Sequence, residues 1–321
     1  SDAEFFWNKD KTQNLVKKVS ELKSMNFFKG LGSYFDKVQR MRKIGGMISD
    51  ELLISKEKVE LLASICKTDL TSDLVGEFPE LQGLMGGYFS EYQGFDKDIS
   101  LAISEQYLPI GLNSIVPKKP FSVTLSITDK IDTLVGFFGI NEKPTSSKDP
   151  LALRRIALGI IRTTIENKKN LKINDLMNYS SRLYDDQGYN LDNKDLQKEL
   201  YNFLKDRFRY YLKEKEIRYD IIEATLSSFS LNKLFSSFEK AKCLNKVIRS
   251  QIGMDINSSY KRASNILEHE MKNNEIEIND TTDPGIFKSE FEKNLYKKIN
   301  DIKKYYSTLN NDENCEKSLS I

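Results

Sequence analysis

Apolar residues recur at helical spacing along almost the whole chain, and this periodicity limits the possible folds more than any other feature. In LVKKVSELKSM (15–25), YFDKVQRMRKIGGMI (34–48) and KVELLASICKTDL (58–70), apolar side chains stand three and four positions apart. That spacing places them on one face of an α-helix. Convincing hairpin signals are absent from the sequence. The sequence therefore predicts an all-α protein.

Two segments add detail to this prediction. PFSVTLSITDKIDTLVGFFG (120–139) begins with an alternating pattern, but its apolar side chains form one helical stripe. We interpret it as a buried helix whose first residues could be extended. SKDPLALRRIALGIIRTTIE (147–166) carries a start signal, because Asp149 can cap a helix while Pro150 takes its first position, where the missing N–H of proline does no harm.

The segment EFPELQGLMGGY (77–88) combines helical spacing with three glycines. Pro79 predicts a helix start, and Gly83, Gly86 and Gly87 would leave a smooth stripe along the helix. Each helical glycine costs up to about 1 kcal/mol relative to alanine, so the stripe predicts close approach of another helix. A nucleotide cradle is disfavoured, because the glycine spacing matches neither the dinucleotide nor the P-loop motif.

Composition narrows the possible functions. The 321 residues carry a net charge of only +2, so affinity for an anionic partner requires local clusters of basic residues. The three cysteines, Cys66, Cys243 and Cys315, lie far apart and suggest neither disulfides nor a zinc site, which is typical of the cytoplasm. A metal centre, triad or Cys-His pair that uses histidine would depend on His269 alone.

The ends and breaks of the chain predict its organisation. No apolar run approaches the roughly 20 residues of a membrane span, and the start, SDAEFFWNKD, lacks signal-peptide features and an initiator Met. We therefore expect no membrane partner, a cytoplasmic location and a fragment of a longer protein. Glycine and proline become rarer after Gly159, and KNNEIEINDTTDPG (272–285) is polar and turn-rich. These changes predict domains at 1–170, 171–275 and 276–321.

Three aspartates stand on otherwise apolar helices: Asp69 in CKTDLTSD, and Asp129 and Asp132 in TDKIDTL. A buried aspartate must be paired, hydrogen-bonded or bound to metal. Two of them could form half of a metal site, but His269 lies on a distant helix. The favoured interpretation is that Asp69 and Asp129 cap neighbouring helices or pair with lysines, and the adjacent candidates are Lys67 and Lys130.

Basic residues cluster around the predicted helix start near residue 150. A helix N-terminus adds free N–H donors that suit phosphate. Arg155 and Arg162 share a face, whereas Arg154 is expected to point elsewhere. Phosphate binding and a solvated charged face both remain open. The same two interpretations compete for Lys261 and Arg262. A further segment mixes basic residues with tyrosines, a composition that can bind RNA, but an ordinary amphipathic helix is favoured there. Its residues are Arg207, Arg209, Tyr210, Tyr211, Lys213 and Lys215.

Several longer segments resemble the β subunit of bacterial α2β2-type glycyl-tRNA synthetases. The resemblance is dense over residues 2–170, looser over 171–255 and firm again over 260–267. The segments that carry it, in chain order, are DAEFFWNKD, LGSYFDKVQRMRKI, CKTDLTSDLVGEF, EFPELQGLMGGYFSEYQG, ISLAISEQYLP, ITDKIDTLVGFFGINEKPTSSKDPLALRRIALGIIR and YKRASNIL.

For the fold, the resemblance implies a degenerate HD-like helical domain over 1–170, a helical body over 171–275 and the start of a truncated anticodon-binding domain over 276–321. The HD fold is named for a His-Asp metal motif. Here Lys37 corresponds to the first histidine, Thr68 and Asp69 to the His-Asp pair, and Asp129 to the final aspartate. Without imidazoles we expect neither a metal nor catalytic residues.

For function, the resemblance implies a ligase that joins glycine to tRNA with ATP. The α subunit would hold the adenylate site, and the β subunit would bind tRNA(Gly). This chain would be non-catalytic and need no cofactor. The alternatives are an HD-type metal-dependent phosphohydrolase and a pure docking module for the α subunit. The residues expected to contact tRNA phosphates are Lys143, Lys148, Arg155 and Arg162, with Lys261 and Arg262 as weaker candidates.

Overall fold

The computed structural model describes residues 2–145, 147–274 and 282–308, and helices make up nearly all of their regular secondary structure. The prediction of an all-α protein is confirmed. The chain divides into two compact units, Ser1–Lys215 with Ser228–Phe235, and Glu216–Ser227 with Ser236–Ile321. The domain boundaries near 170 and 275, and the HD-like character of the first domain, stay predictions. The second boundary falls next to residues 275–281, which lie outside the described residues.

Eleven helices of the first unit are connected mostly by short turns. In chain order they are α1 (Asp2–Asp10), α2 (Leu15–Lys18), α3 (Tyr34–Leu52), α4 (Lys56–Ile65), α5 (Asp73–Glu77), α6 (Leu84–Tyr92), α7 (Lys97–Glu105), α8 (Pro120–Gly139), α9 (Leu153–Glu166), α10 (Ile173–Asp186) and α11 (Leu196–Glu214). The later helices are α12 (Tyr219–Ser227), α13 (Leu234–Val247), α14 (Gln251–Asn274) and α15 (Glu290–Thr308).

Short elements join these helices. Between α2 and α3, the strands β1 (Asn26–Phe28) and β2 (Gly32–Ser33) form one antiparallel pair. The 3-10 turns are Val19–Ser24, Thr68–Thr71, Pro79–Leu81, Leu231–Lys233 and Pro284–Ile286.

Helix α8 is the centre of the first unit. It packs against α3, α4, α7, α9, α10 and α11, and nearly all of its side chains are buried. A helix that is surrounded on all sides buries its polar residues as well as its apolar ones, so Asp129, Lys130 and Asp132 of α8 need partners within the core. The predicted buried helix is confirmed. The alternative of an extended start is wrong, because the helix begins at Pro120.

The glycine-rich segment behaves partly as predicted. Pro79 opens a 3-10 turn, and α6 begins only at Leu84. Gly83 precedes α6 with φ +83°, a conformation that favours glycine, so its predicted place in a helical stripe is wrong. Gly86 and Gly87 do face another helix, because a Cβ on Gly87 would overlap the Ser104 hydroxyl of α7 and lie 2.9 Å from a main-chain oxygen of the same helix.

The start of α9 also differs in detail. The helix begins at Leu153, and Pro150 lies in the preceding turn, so the prediction that proline takes the first helical position is wrong. Asp149 nevertheless caps the helix. Its Oδ1 accepts the Leu153 N–H at 2.8 Å and its Oδ2 accepts the Arg154 N–H at 3.0 Å. The carboxylate thus satisfies two amides that have no partner within the helix.

The last two helices of the second unit, α14 and α15, expose much of their apolar surface. On α15, Phe291, Leu295, Ile299 and Ile302 are all exposed and follow helical spacing. None of the helices within 2–145, 147–274 and 282–308 has the length and apolarity that crossing a membrane requires.

Candidate functional site

A cluster of buried charges lies where α3, α4 and α8 meet. Oδ1 of Asp129 is 3.0 Å from Nζ of Lys37 and 3.2 Å from Nζ of Lys67, and both lysine side chains are almost completely buried. Burial opposes ionisation of Asp129, but the neighbouring ammonium groups outweigh it and hold the pKa of this carboxyl well below its usual range. One carboxylate therefore neutralises parts of two positive charges.

A second buried carboxylate, that of Asp132, offsets part of the remaining positive charge of the cluster. Asp132 accepts from Arg40 in bidentate fashion, at 2.6 Å from Nε and 3.1 Å from the terminal nitrogen, and from Lys37 at 3.1 Å. Burial raises the pKa of Asp132, but Arg40 and Lys37 lower it below the usual value. The Arg40 guanidinium also lies 3.7 Å from the ring centre of Tyr184. We name Lys37, Arg40, Lys67, Asp129 and Asp132 the buried charge cluster.

Lys130 lies beside this cluster but binds main-chain and hydroxyl oxygens. Its Nζ donates to the Leu108 carbonyl at 2.7 Å and to Oγ of Ser126 at 2.8 Å. Burial lowers the pKa of Lys130 to about 7, even though nearby Asp129 favours its charged form. Asp129 therefore pairs with Lys37 and Lys67. The predicted partner Lys67 is confirmed, whereas the predicted partner Lys130 forms no ion pair with the described residues and anchors the loop that follows α7.

A second site, on the other side of that loop, is a pocket between α9, α11 and residues 109–112. Its volume is about 270 Å³. We name it the arginine pocket. It combines four arginines with proline, leucine and tyrosine side chains, and its lining residues are Pro109, Gly111, Leu112, Arg154, Arg155, Leu158, Gly159, Arg162, Arg207 and Tyr210.

Two of the four arginines hold the walls of the pocket. Arg162 is buried and donates to the Gly111 carbonyl at 2.6 Å, to the Ser114 carbonyl at 2.9 Å and to Oε1 of Glu166 at 2.9 Å. Arg154 donates to the carbonyls of Thr145 and Lys148. These guanidiniums contribute positive charge, but their donors are largely used within the chain.

The other two arginines have donors to spare. Arg155 is exposed and forms no hydrogen bond or ion pair with the described residues. Nε of Arg207 is buried without a hydrogen-bond partner in the described part of the chain, and its guanidinium lies 5.8 Å from the ring centre of Tyr210. A buried donor without a partner is unfavourable, so the pocket is suited to a ligand that brings acceptor oxygens.

Comparisons with known proteins connect this geometry to a family. A family model described as "Glycyl-tRNA synthetase beta subunit" matches residues 1–227. The chain belongs to this family. It is similar to the glycine–tRNA ligase beta subunit of Rickettsia canadensis (strain McKiel), with 39% identity over 92% of this chain and 42% of the relative. For the same subunit of Rickettsia africae (strain ESF-5), identity is 35% over 100% of this chain and 45% of the relative.

The glycine–tRNA ligase beta subunit of Cereibacter sphaeroides (strain ATCC 17029 / ATH 2.4.9) is 35% identical over 92% of this chain and 43% of its own length. The chain thus spans less than half the length of these relatives. The resemblance predicted from the sequence is confirmed.

In this β-subunit family member, the four positions predicted to correspond to an HD metal motif have structural roles, and the correspondence itself stays a prediction. Lys37 and Asp129 belong to the buried charge cluster. Oδ2 of Asp69 accepts the N–H groups of Gly83 at 2.5 Å and Gly86 at 3.3 Å, which caps the start of α6 as predicted. Thr68 donates to the Ile65 carbonyl at 2.7 Å. Among the described residues, no group of three or more His, Cys, Asp or Glu side chains could hold a metal ion.

The residues predicted to contact tRNA lie in three places. Arg155 and Arg162 line the arginine pocket together. Arg154 also lines it, but its guanidinium donates to the carbonyls of Thr145 and Lys148 in the preceding loop, in line with the expectation that it points elsewhere. Lys148 is exposed near the start of α9, whereas Lys143 pairs with Glu199 at 2.6 Å. The remaining candidates, Lys261 and Arg262, are exposed on α14 of the second unit.

Sequence reasoning treated Arg207 and Tyr210 as part of an ordinary amphipathic helix. Both line the pocket because α11 packs against α9, and these helices are separated by α10 in the chain. The available signal was the interleaving of tyrosine with basic residues on α11, which is compatible with RNA binding. It gave no indication of which other helix would face them.

Proposed function

We propose that the chain is the part of a glycine–tRNA ligase β subunit that binds tRNA(Gly), and that it supports the ATP-dependent attachment of glycine to tRNA by an α subunit. The chain itself is non-catalytic and carries no cofactor, since ATP is used at the adenylate site of the α subunit. Its location is cytoplasmic. Family membership and the names of the relatives support this role, and the arginine pocket is the observation that carries it.

The pocket suits RNA because it concentrates charge that the whole chain lacks. Net charge is only +2, yet four arginines line the pocket and Lys148 stands nearby in sequence, before α9. Guanidinium groups bind phosphate oxygens through two parallel hydrogen bonds. Such contacts fix the position of a nucleic acid without reading its bases.

A metal-dependent hydrolase is not supported by the charge cluster. The carboxylate of Asp129 is already engaged by two ammonium groups, and Asp69 caps α6. A divalent ion at Asp129 would meet the positive charges of Lys37 and Lys67. The basic groups therefore supply inside the protein the charge that a metal would supply in an active HD site.

The proposed α-subunit partner does not use the glycine face of α6. Gly86 and Gly87 face α7 within the first unit, so this face is covered by the chain itself. Co-elution of the chain with an α subunit on a sizing column tests the partnership, and it is expected to persist without tRNA. Separate elution at micromolar concentrations of both proteins would contradict it.

Titration with tRNA(Gly) tests the tRNA role. The variant Lys148→Glu/Arg155→Glu is expected to bind at least about tenfold more weakly, because two phosphate contacts become repulsive. The slope of log affinity against log salt should fall by about 1.5, since each lost contact removes roughly 0.7–0.9. Arg162 is left unchanged because it holds the pocket wall.

The matched control is Lys29→Glu/Lys97→Glu, which makes the same change in net charge at two exposed lysines of the first unit. We expect this control to bind tRNA(Gly) within about twofold of the unmodified chain at 0.15 M salt, where screening acts over about 8 Å. Equal losses in both double variants would show that only net charge matters. Unchanged binding in the first variant would remove this surface from the proposal.

A further inference from the structure

We infer that the arginine pocket holds a single unstacked nucleotide, with its base on the apolar floor and its phosphate at Arg155 and Arg207. This inference rests on the proposed function and makes it more specific. The family comparisons concern the chain as a whole, whereas the inference comes from the shape, charge and composition of this pocket.

The floor of the pocket favours a flat apolar group. Pro109, Leu112, Leu158 and Tyr210 contribute carbon-rich surface, and Gly159 contributes no side chain. Leu112 is 44% exposed, so its side chain is accessible to a ring that enters the pocket. A phosphate ion alone would gain nothing from such walls, whereas every nucleobase has a π face that can stack on an aromatic or aliphatic side chain.

The size of the pocket favours one base. A volume of about 270 Å³ lies just below the range of roughly 300–1,000 Å³ that is usual for pockets of drug-sized ligands. A base within a duplex has both faces stacked and its edge paired, so it cannot enter. Recognition of RNA bases by proteins mostly uses nucleotides that are already unstacked.

The charges of the pocket favour an anion at its rim. Four arginines line the pocket, and among the described residues Glu166 is the carboxylate that accepts a hydrogen bond from one of their guanidiniums, so four positive charges and one negative charge leave +3. Arg155 and Arg207 retain unused donors, including the buried Nε of Arg207. A phosphate attached to the inserted base would place acceptor oxygens within this field.

The walls are held in place before any ligand arrives. Arg162 ties the carbonyls of Gly111 and Ser114 to α9, and Oγ of Ser114 accepts the Gly111 N–H at 3.0 Å. At the other end of the loop, Lys130 and Ser126 both donate to the Leu108 carbonyl. Because the loop is already ordered, binding loses little conformational freedom.

Fluorescence anisotropy with the full 321-residue chain tests the inference. The probe is a labelled, 5′-phosphorylated single-stranded RNA of four nucleotides, and a blunt RNA duplex of twelve base pairs serves as comparison. We expect Arg155→Ala/Arg207→Ala and Tyr210→Ala each to raise the Kd for the tetranucleotide about tenfold, the usual scale for loss of one stacked base and its contacts. Tyr210→Ala should change duplex binding by less than about threefold, since the duplex reaches only the phosphate-binding rim, whereas Arg155→Ala/Arg207→Ala removes that rim and should weaken both ligands.

Arg209→Ala is the matched control for Arg207. It removes a guanidinium from the same helix, but Arg209 pairs with Asp206 at 2.7 Å and does not line the pocket. We expect its Kd for the tetranucleotide to stay within about twofold of the unmodified chain, on the scale of an exposed ion pair. Thermal unfolding of all variants checks the fold, and a shared melting midpoint assigns the loss of binding to the pocket.

Crosslinking locates the base independently of affinity. A tetranucleotide with one 4-thiouridine is expected to crosslink to Leu112 or Tyr210, as mapped by mass spectrometry. Adding AMP distinguishes a free mononucleotide from an RNA strand as the ligand. Loss of the crosslink in the presence of AMP indicates a free mononucleotide, and a crosslink that persists indicates an RNA strand. Crosslinks confined to residues outside the pocket, or pocket variants that bind the tetranucleotide normally, would overturn the inference.

The two proposals fail in different ways. If tRNA(Gly) binds the pocket variants as tightly as the unmodified chain, the pocket inference is wrong and the tRNA role stands. If the unmodified chain binds the tetranucleotide through the pocket but shows no affinity for tRNA(Gly), the pocket is a nucleotide site and the tRNA role is wrong.

Discussion

Asp129 supplies the negative charge that two buried lysines in the core of the first unit require. Its Oδ1 lies within 3.2 Å of two buried ammonium groups, on Lys37 and Lys67. Removing charged groups from water is unfavourable, so each buried charge must find an opposite charge or several hydrogen bonds. The lysines and Asp129 satisfy each other, and none of them remains available for acid–base chemistry on a substrate.

Replacing Asp129 with asparagine is expected to lower the free energy of unfolding by about 3–5 kcal/mol, the usual effect of breaking a buried ion pair. Lys37 would keep the Asp132 carboxylate at 3.1 Å, whereas the charged partner of Lys67 among the described residues would be lost and the neutral Tyr107 hydroxyl would remain, at 2.9 Å. Urea denaturation at pH 7 measures the change.

Asp96→Asn is the control for that measurement. Asp96 pairs with Lys58 at 2.6 Å on the surface, and its Oδ1 caps α7. Asparagine caps as well as aspartate does, and exposed ion pairs contribute about 0–1 kcal/mol. We therefore expect a loss below about 1 kcal/mol. Equal losses in the two variants would show that burial of the charge cluster adds nothing to stability.

At the scale of elements, the contact between α6 and α7 depends on glycine. Gly86 would place a Cβ 2.8 Å from Cγ2 of Ile103, and Gly87 would place one 2.9 Å from the Ser100 carbonyl oxygen. Real Cβ atoms do not approach other atoms so closely, so the two helices would have to separate. The glycines weaken α6 as an isolated helix and allow it to pack closely against α7.

The same substitution at two glycines separates these effects. Gly87→Ala is expected to lower the free energy of unfolding by about 1–3 kcal/mol, because overpacking outweighs the better helix propensity of alanine. Gly76→Ala, in α5, is expected to raise it by about 0.5–1 kcal/mol, since a Cβ there meets no atom within 4 Å. Thermal and urea unfolding measure both. Stabilisation by Gly87→Ala would contradict the close contact.

Local patterns predicted much of the helical structure. The apolar run of 120–139 was sufficient for α8, and the glycine spacing at 86 and 87 predicted a close helix contact. Details at helix ends were missed. Gly83 and Pro150 both lie just before a helix begins, and the turn geometry that decides this depends on several neighbouring residues at once.

The candidate site was predictable only where its residues share a helix. Arg155 and Arg162 are seven positions apart on α9, so their common face follows from helix geometry. Arg207 reaches the same pocket through packing of α11 on α9, and the pair of Lys37 and Asp129 joins residues 92 positions apart. Contacts between distant segments depend on the tertiary fold, which periodicity in one sequence does not determine.

At the scale of the whole molecule, the two units differ in how much apolar surface they bury. The buried hydrophobic side chains of the described chain end at Cys243. Beyond it, Met254, Ile256 and Tyr260 on α14 are exposed, as are the four apolar residues of α15 described above. Large exposed apolar surface favours association with other surfaces, so these helices are expected to influence solubility more than stability.

Two shortened chains test this division. A chain ending at residue 250 loses α14 and α15, and its melting midpoint is expected to stay within about 2 °C of the full chain, since 1 kcal/mol corresponds to roughly 2–4 °C in a unit of this size. A chain ending at residue 215 also loses Phe229, Leu231 and Leu234, which are buried parts of the first unit. At roughly 1.5–3 kcal/mol for each buried side chain, it is expected to melt at least about 10 °C lower.

Sizing columns at several protein concentrations give a second measurement. The chain ending at 250 is expected to elute as a monomer at concentrations where the full chain begins to self-associate, because it no longer exposes Phe291, Leu295 and Ile299. If instead the chain ending at 250 melted as low as the one ending at 215, α14 and α15 would contribute stability that their exposed side chains do not explain. The apolar residues of these two helices would then stabilise the folded chain, and the exposed fraction of their side chains would not predict their contribution to stability.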